Sequence, residues 1–306
     1  MTNIDLSVKI GSLELESPVV VASGVWPYEA EFWSAEKLEG IGAICTKAIS
    51  LNPRSGNKGV RVWESTAGMM NSIGLQNVGV QGFIDKYHAR VTTCGKPAVA
   101  NVVMEREFET EETLMRLQDA GGIAAAELNI SCPNVDGDGM AWGVETCSAA
   151  QAVRSARKVW KGPLWVKMTP QSPNPAAVAK AIEDEGADAL VVANTWLGMG
   201  MDMAKGKPAF DRVVAGLSGP AIFPLALRMV WQVCGAVKIP VLGCGGVTTG
   251  EDCAAMMMAG ASAVEAGTAF FRDVKAGAHI CAELPAVLHA HRVENVRALI
   301  GMARGN

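Results

Sequence analysis

Ile123-Ala124-Ala125-Ala126-Glu127-Leu128-Asn129-Ile130-Ser131-Cys132-Pro133-Asn134 changes character halfway along. Ile123 to Leu128 is mostly apolar and reads as a strand buried on both faces of a parallel sheet. From Asn129 onward come amides, a hydroxyl and a thiol, then the Asp/Gly-rich run Val135 to Gly139. This is a rigid strand handing over to a loop at its carboxyl end. Pro133 fixes the backbone after the thiol and biases Cys132 towards an extended conformation. Burying Asn129, Ser131 and Asn134 without partners would be costly, so a flat polar heterocycle is expected among them. A thiol with an ordinary pKa of about 8.5 becomes a usable proton acceptor near neutrality if its site lowers that value.

Similar strands recur along the chain, at Val19–Ala22, Ala43–Lys47, Ala98–Val103, Ala125–Ile130, Leu164–Met168, Ala189–Ala193, Val241–Gly243 and Ala263–Gly267. Helix patterns lie between them, among them Thr110–Ala120, Pro175–Glu185, Ala221–Val233 and Gly250–Ala259. Eight strands alternating with helices predict an α/β chain folded as a (β/α)₈ TIM barrel, one domain over residues 1–306. Leu6 to Pro18 alternates around Gly11-Ser12 and predicts an N-terminal β-hairpin that plugs the amino end of the barrel. A doubly wound sheet would carry a glycine-rich fingerprint after its first strand, and Val21-Ala22-Ser23-Gly24-Val25 does not match it. Two long βα-loop insertions, Ala48 to Val80 and Val135 to Thr146, are expected to serve a site, the second as a lid; a third runs from Leu197 to Ser218.

A hydrophobic content of 49% and a mean hydropathy of +0.19 indicate a large buried core. A net charge of −4 argues against nucleic acid as a partner. No run reaches the roughly 18 apolar residues of a membrane span. The first residues lack a secretory pattern, so the expected localisation is cytoplasmic. Eight cysteines stand at 45, 94, 132, 147, 234, 244, 253 and 281 with no C-x-x-C pair. Neither a zinc ribbon nor an iron–sulfur cluster is expected, and the thiols read as reduced. None of the four histidines falls at a predicted strand end.

The strand ends read Ser23-Gly24, Thr46-Lys47, Asn101, Asn129 to Cys132, Lys167, Asn194-Thr195, Gly245-Gly246 and Gly267-Thr268. In a barrel these positions face one cavity. The glycine pairs after strands seven and eight stand where barrels bind phosphate through backbone N–H groups. Lys167 can set a positive charge against an anionic group such as the N1/O2 edge of a reduced flavin.

From about Leu6 to about Leu284 the chain resembles the class 1 dihydroorotate dehydrogenases, specifically their 1B subgroup. The resemblance is carried by Ala22-Ser23-Gly24-Val25, Cys45-Thr46-Lys47, Asn71-Ser72-Ile73-Gly74-Leu75-Gln76-Asn77, Leu128 to Val135, Val166-Lys167, Asn194-Thr195 with Leu197-Gly198-Met199, Gly216 to Ala221, Gly245-Gly246 and Gly267-Thr268. It implies oxidation of (S)-dihydroorotate to orotate in pyrimidine synthesis, with one FMN per chain as hydride acceptor. By position Cys132 matches the general base. Lys47, Asn71, Ser72, Ile73, Gly74, Leu75, Asn129, Asn134, Asn194 and Thr195 match substrate-binding positions. Ser23, Lys47, Ala48, Asn101, Asn129, Lys167, Ala193, Gly219, Gly245, Gly246, Gly267 and Thr268 match FMN-binding positions. The 1B pattern further implies a homodimeric core joined in a heterotetramer to a subunit carrying FAD and a [2Fe–2S] cluster, with NAD⁺ as the eventual acceptor. Val78, Ala215, Cys244 and Phe270 depart from the family's usual residues without removing any of these positions. Two rivals are a dihydropyrimidine dehydrogenase-like flavin subunit acting on uracil or thymine, where His is usual at Asn134, and a flavin-free barrel isomerising a phosphosugar.

Overall fold

Eight short strands close on one another through parallel hydrogen bonds: β1 (Val19–Val21), β2 (Ala43–Cys45), β3 (Ala98–Val103), β4 (Ala125–Asn129), β5 (Leu164–Lys167), β6 (Ala189–Val192), β7 (Val241–Cys244) and β8 (Ala263–Ala266). The computed structural model describes residues 4–131 and 141–305. Each strand neighbours the next in chain order, and β8 pairs with β1, Val264 opposite Val19, which closes the barrel. Every residue of all eight strands is buried. That explains why the strands read as apolar runs and not as alternating ones.

Local chemistry sets several of the outer helices. Asn174 accepts from Ala177 N at 3.2 Å and Pro175 opens the helix Pro175–Asp184. Thr249 and Asp252 form a reciprocal capping box on Gly250–Met258. The predicted hairpin is present as Val8–Ile10 paired with Leu13–Leu15. Its turn at Gly11, with φ +60°, packs against Asp188 just before β6, so it sits at the amino end of the barrel.

The first and third insertions are not irregular loops. Trp196–Met199, Val214–Ser218, Gly68–Asn71 and Val62–Ser65 pair in that order as an antiparallel sheet, with Leu217 opposite both Trp196 and Met70. The sheet carries Asn71 and Gly216 to the cavity at the carboxyl end of the barrel. Of the second insertion, residues 135–140 lie outside the described residues, and with them half of the expected lid.

Candidate active site

A cavity of about 860 Å³ opens at the carboxyl ends of the strands, below the inserted sheet. That is the size of a site for a cofactor with a small substrate. Ser23, Lys47, Ala48, Asn129 and Lys167 reach it from the barrel; Asn71, Ser72, Ile73, Gly74 and Leu75 from the first insertion; Asn194 and Thr195 from the end of β6. These positions are scattered over the chain, and the topology gathers them.

Asn129 is the hub. Its side-chain oxygen accepts from Ser131 N at 3.1 Å and from Asn194 Nδ2 at 3.3 Å, so the amides after β4 and β6 hold each other in place. Asn194 in turn accepts from Thr195 N at 2.8 Å. Ser131 Oγ is buried with no partner among the described residues, a hydroxyl left over for a ligand. Lys47 lies across the missing side chain of Gly24, where a Cβ would come within 3.1 Å of its Nζ. Burial, helped by Arg61, depresses the Lys47 pKa. Cys132 and Asn134 lie outside the described residues; Cys132 follows directly on Ser131, which lines the cavity.

The remaining predicted positions form two groups. Gly219, Gly246 and Thr268 meet beside one another: a Cβ on Gly246 would lie 2.9 Å from Gly219 O, and one on Gly219 would lie 3.5 Å from Thr268 Cγ2. Thr268 Oγ1 donates to Ser218 Oγ at 2.8 Å. Gly267 stands at the N-cap of Thr268–Arg272, and Gly245 takes φ +140°. Together they form a close-packed backbone cradle, none of whose residues lines the cavity. Asn101 and Ala193 are buried in the barrel and do not line the cavity either. Asn101 N donates to Thr46 Oγ1 at 3.1 Å, and its side-chain amide donates to Glu127.

The sequence reading missed what lies under Lys167. Its Nζ is 2.5 Å from Glu265 Oε2 and 3.7 Å from Glu127 Oε1. Burial works against the ammonium, but Cys244 and the two carboxyls outweigh it and hold its pKa well above the usual lysine value. The lysine therefore reaches the cavity as part of a charged cluster and not as a lone cation. A signal was available: Glu127 and Glu265 are acids inside runs otherwise read as buried. Arg54, tied to Glu105, and Arg212 also line the cavity and carried no strand-end cue.

A family model described as Dihydroorotate dehydrogenase matches residues 5–288. A protein of Geobacter metallireducens named dihydroorotate dehydrogenase B (NAD(+)), catalytic subunit, is 44% identical over 301 residues, covering 98% of this chain and 99% of its own length. A protein of the same name from Geobacter sp. (strain M21) is 42% identical over 301 residues, with the same coverage. The solved structure of DHODH from Eimeria tenella in complex with ferulenol superposes with a TM-score of 0.80 at 20% identity, covering 99% of this chain and 89% of that one; it bears on the fold.

Proposed function

The chain belongs to the dihydroorotate dehydrogenase family, and from that premise we propose that it oxidises (S)-dihydroorotate to orotate as an FMN-dependent catalytic subunit. The observation that carries the reading is the convergence of Lys47, Asn71 to Leu75, Asn129, Lys167, Asn194 and Thr195 on one cavity. A phosphosugar isomerase would have no use for this amide-lined basin.

The residues present suit FMN. We assign the phosphate to the Gly219, Gly246 and Thr268 cradle, where glycine lets separate backbone segments approach closely. Lys167 presents an ammonium, and Ser131 an unused hydroxyl, to a heterocycle. Bound flavin would supply the two-electron acceptor for the hydride leaving C6 of the substrate. The chain's own residues do the rest. Asn129 and Asn194, locked to each other, can donate to and accept from the lactam edges, and Lys47 pairs with the carboxylate. Cys132, as thiolate, removes the proton from C5, which is weakly acidic beside a carbonyl. The inserted sheet walls the basin on one side and brings Asn71 and Gly216 to it.

The relatives' name, catalytic subunit, supports a separate electron-transfer partner. We assign FAD and [2Fe–2S] to that partner, with NAD⁺ beyond it. The inserted sheet leaves Val62, Leu197, Met199 and Val214 exposed, and such a surface suits subunit association as a homodimer core. No helix among the described residues is long and apolar enough to cross a membrane.

The test is Cys132→Ser. Flavin reduction by dihydroorotate at neutral pH should slow by about 10²-fold or more while FMN stays bound. An unchanged rate excludes Cys132 as the base. Bleaching the flavin with dihydrouracil and not with dihydroorotate would reassign the substrate.

A further inference from the structure

The floor of the cavity holds more charge than this chemistry uses. Lys167 faces two ways, lining the cavity above and contacting Glu265 and Glu127 below. Both carboxylate side chains have 0% exposure. The groups that face this point come from six strands: Cys45 of β2, Asn101 of β3, Glu127 of β4, Lys167 of β5, Cys244 of β7 and Glu265 of β8. Burial pushes both thiols up, Cys244 to about 12, so neither carries charge near neutrality. Two carboxylates against one ammonium would leave a net negative charge sealed from water, and a site in that position takes up a proton instead.

The hydrogen bonding makes the same point independently. Glu127 Oε1 and Glu265 Oε2 face Lys167. The other oxygens, Glu127 Oε2 and Glu265 Oε1, are buried with no donor among the described residues. Yet the two carboxyls lie against each other, with an oxygen of one within 4.8 Å of an oxygen of the other. One proton between them gives both a partner.

We propose that Glu127 and Glu265 share a single proton, and that this neutral floor is the positioning unit that keeps Lys167 charged and aimed into the cavity. The proton resides mainly on Glu265. Glu127 accepts from the Asn101 amide and from Cys45 Sγ at 3.4 Å as well as facing Lys167, whereas Glu265 has Lys167 and the weakly donating Cys244 thiol besides the shared proton. The proton count stands on the floor's own geometry; its consequence for FMN rests on the function proposed above.

Infrared spectroscopy of the full chain at about pH 8 reads the proton directly, because exposed carboxyls are ionised there. The wild type should show a carboxylic acid carbonyl band of one group's intensity that shifts in D₂O. Glu127→Gln and Glu265→Gln should each abolish it, since the remaining carboxyl then ionises against Lys167. A wild type without the band, or a band that survives in either variant, overturns the proposal. The double variant E127Q/E265Q leaves the lysine buried without a counter-charge, so its FMN affinity should fall by about tenfold or more from pH 6 to pH 9, while that of the wild type stays within about twofold. A flat profile in the double variant overturns the positioning role. If the double variant does not fold, the wild-type band and the single variants still decide. A wild type that shows the band but binds no FMN leaves the shared proton standing and defeats the flavin reading.

Discussion

Lys47 stands at the end of β2 with its ammonium against the space above Gly24, on the rim that Asn129 and Asn194 complete. A hydrogen bond from a charged donor contributes about 1.5–3 kcal/mol, so Lys47→Ala should raise KM for dihydroorotate by roughly 10–100-fold. Steady-state kinetics with the melting temperature as a control would check this; an unchanged KM removes Lys47 from substrate binding. Gly246 tests the cradle. Its φ is +77°, and a Cβ there would meet Phe223 N and Cβ at 2.8 Å and Gly219 O at 2.9 Å. Gly246→Ala should cost about 2 kcal/mol of stability and loosen FMN, read by urea unfolding and flavin titration. Tight FMN binding by this variant would place the phosphate elsewhere. Both residues were legible in the sequence because they stand at strand ends, where the barrel collects function. Glu127 and Glu265 were marked only by being acids inside apolar strands; their meeting under Lys167 was not legible, because it joins β4, β5 and β8 across the barrel.

Among the elements, those set by neighbours in the chain were legible and those set by distant partners were not. Thr249 with Asp252, and Asn174 with Pro175, announce their helices within four residues. The inserted sheet joins Gly68–Asn71 to Val214–Ser218 across four of the eight barrel strands, and nothing local in Val62 to Asn71 names that partner. The join between the helix Pro175–Asp184 and β7 can be tested by pH. Glu183 accepts from Lys238 N at 2.6 Å and Ile239 N at 3.0 Å, at the entry to β7. Burial would raise its pKa, but Lys180 and these two amides lower it on balance. A depressed folded-state pKa gives stability that is present above the unfolded value and lost as pH falls through the folded one. Glu183→Gln should therefore cost about 1–2 kcal/mol near pH 7, and the gap to wild type should close below about pH 4. Parallel denaturation curves at the two pH values would show it, and a gap that persists in acid would mean that the charge is not what counts.

For the whole molecule, the barrel supplies rigidity and the insertions supply the roof, so the cavity between them is where occupancy and stability are coupled. Its walls come from β1, β2, β4, β5 and β6 and from both halves of the inserted sheet. A ligand that touches all of them holds together elements whose unfolding would otherwise separate them. Binding to the native state alone stabilises by RT ln(1 + [L]/Kd), about 2.7 kcal/mol at a hundredfold excess over Kd. For a chain of this size that corresponds to a rise in Tm of about 5 °C. Removing FMN by dialysis against a chaotropic salt should lower Tm by this amount, and adding FMN back should restore it in step with its concentration. Riboflavin, which lacks the phosphate, should restore less than half of the shift if the Gly219, Gly246 and Thr268 cradle holds that group. Equal rescue by riboflavin would leave the cradle without a ligand, and no shift with either would mean that the basin is built for something other than a flavin.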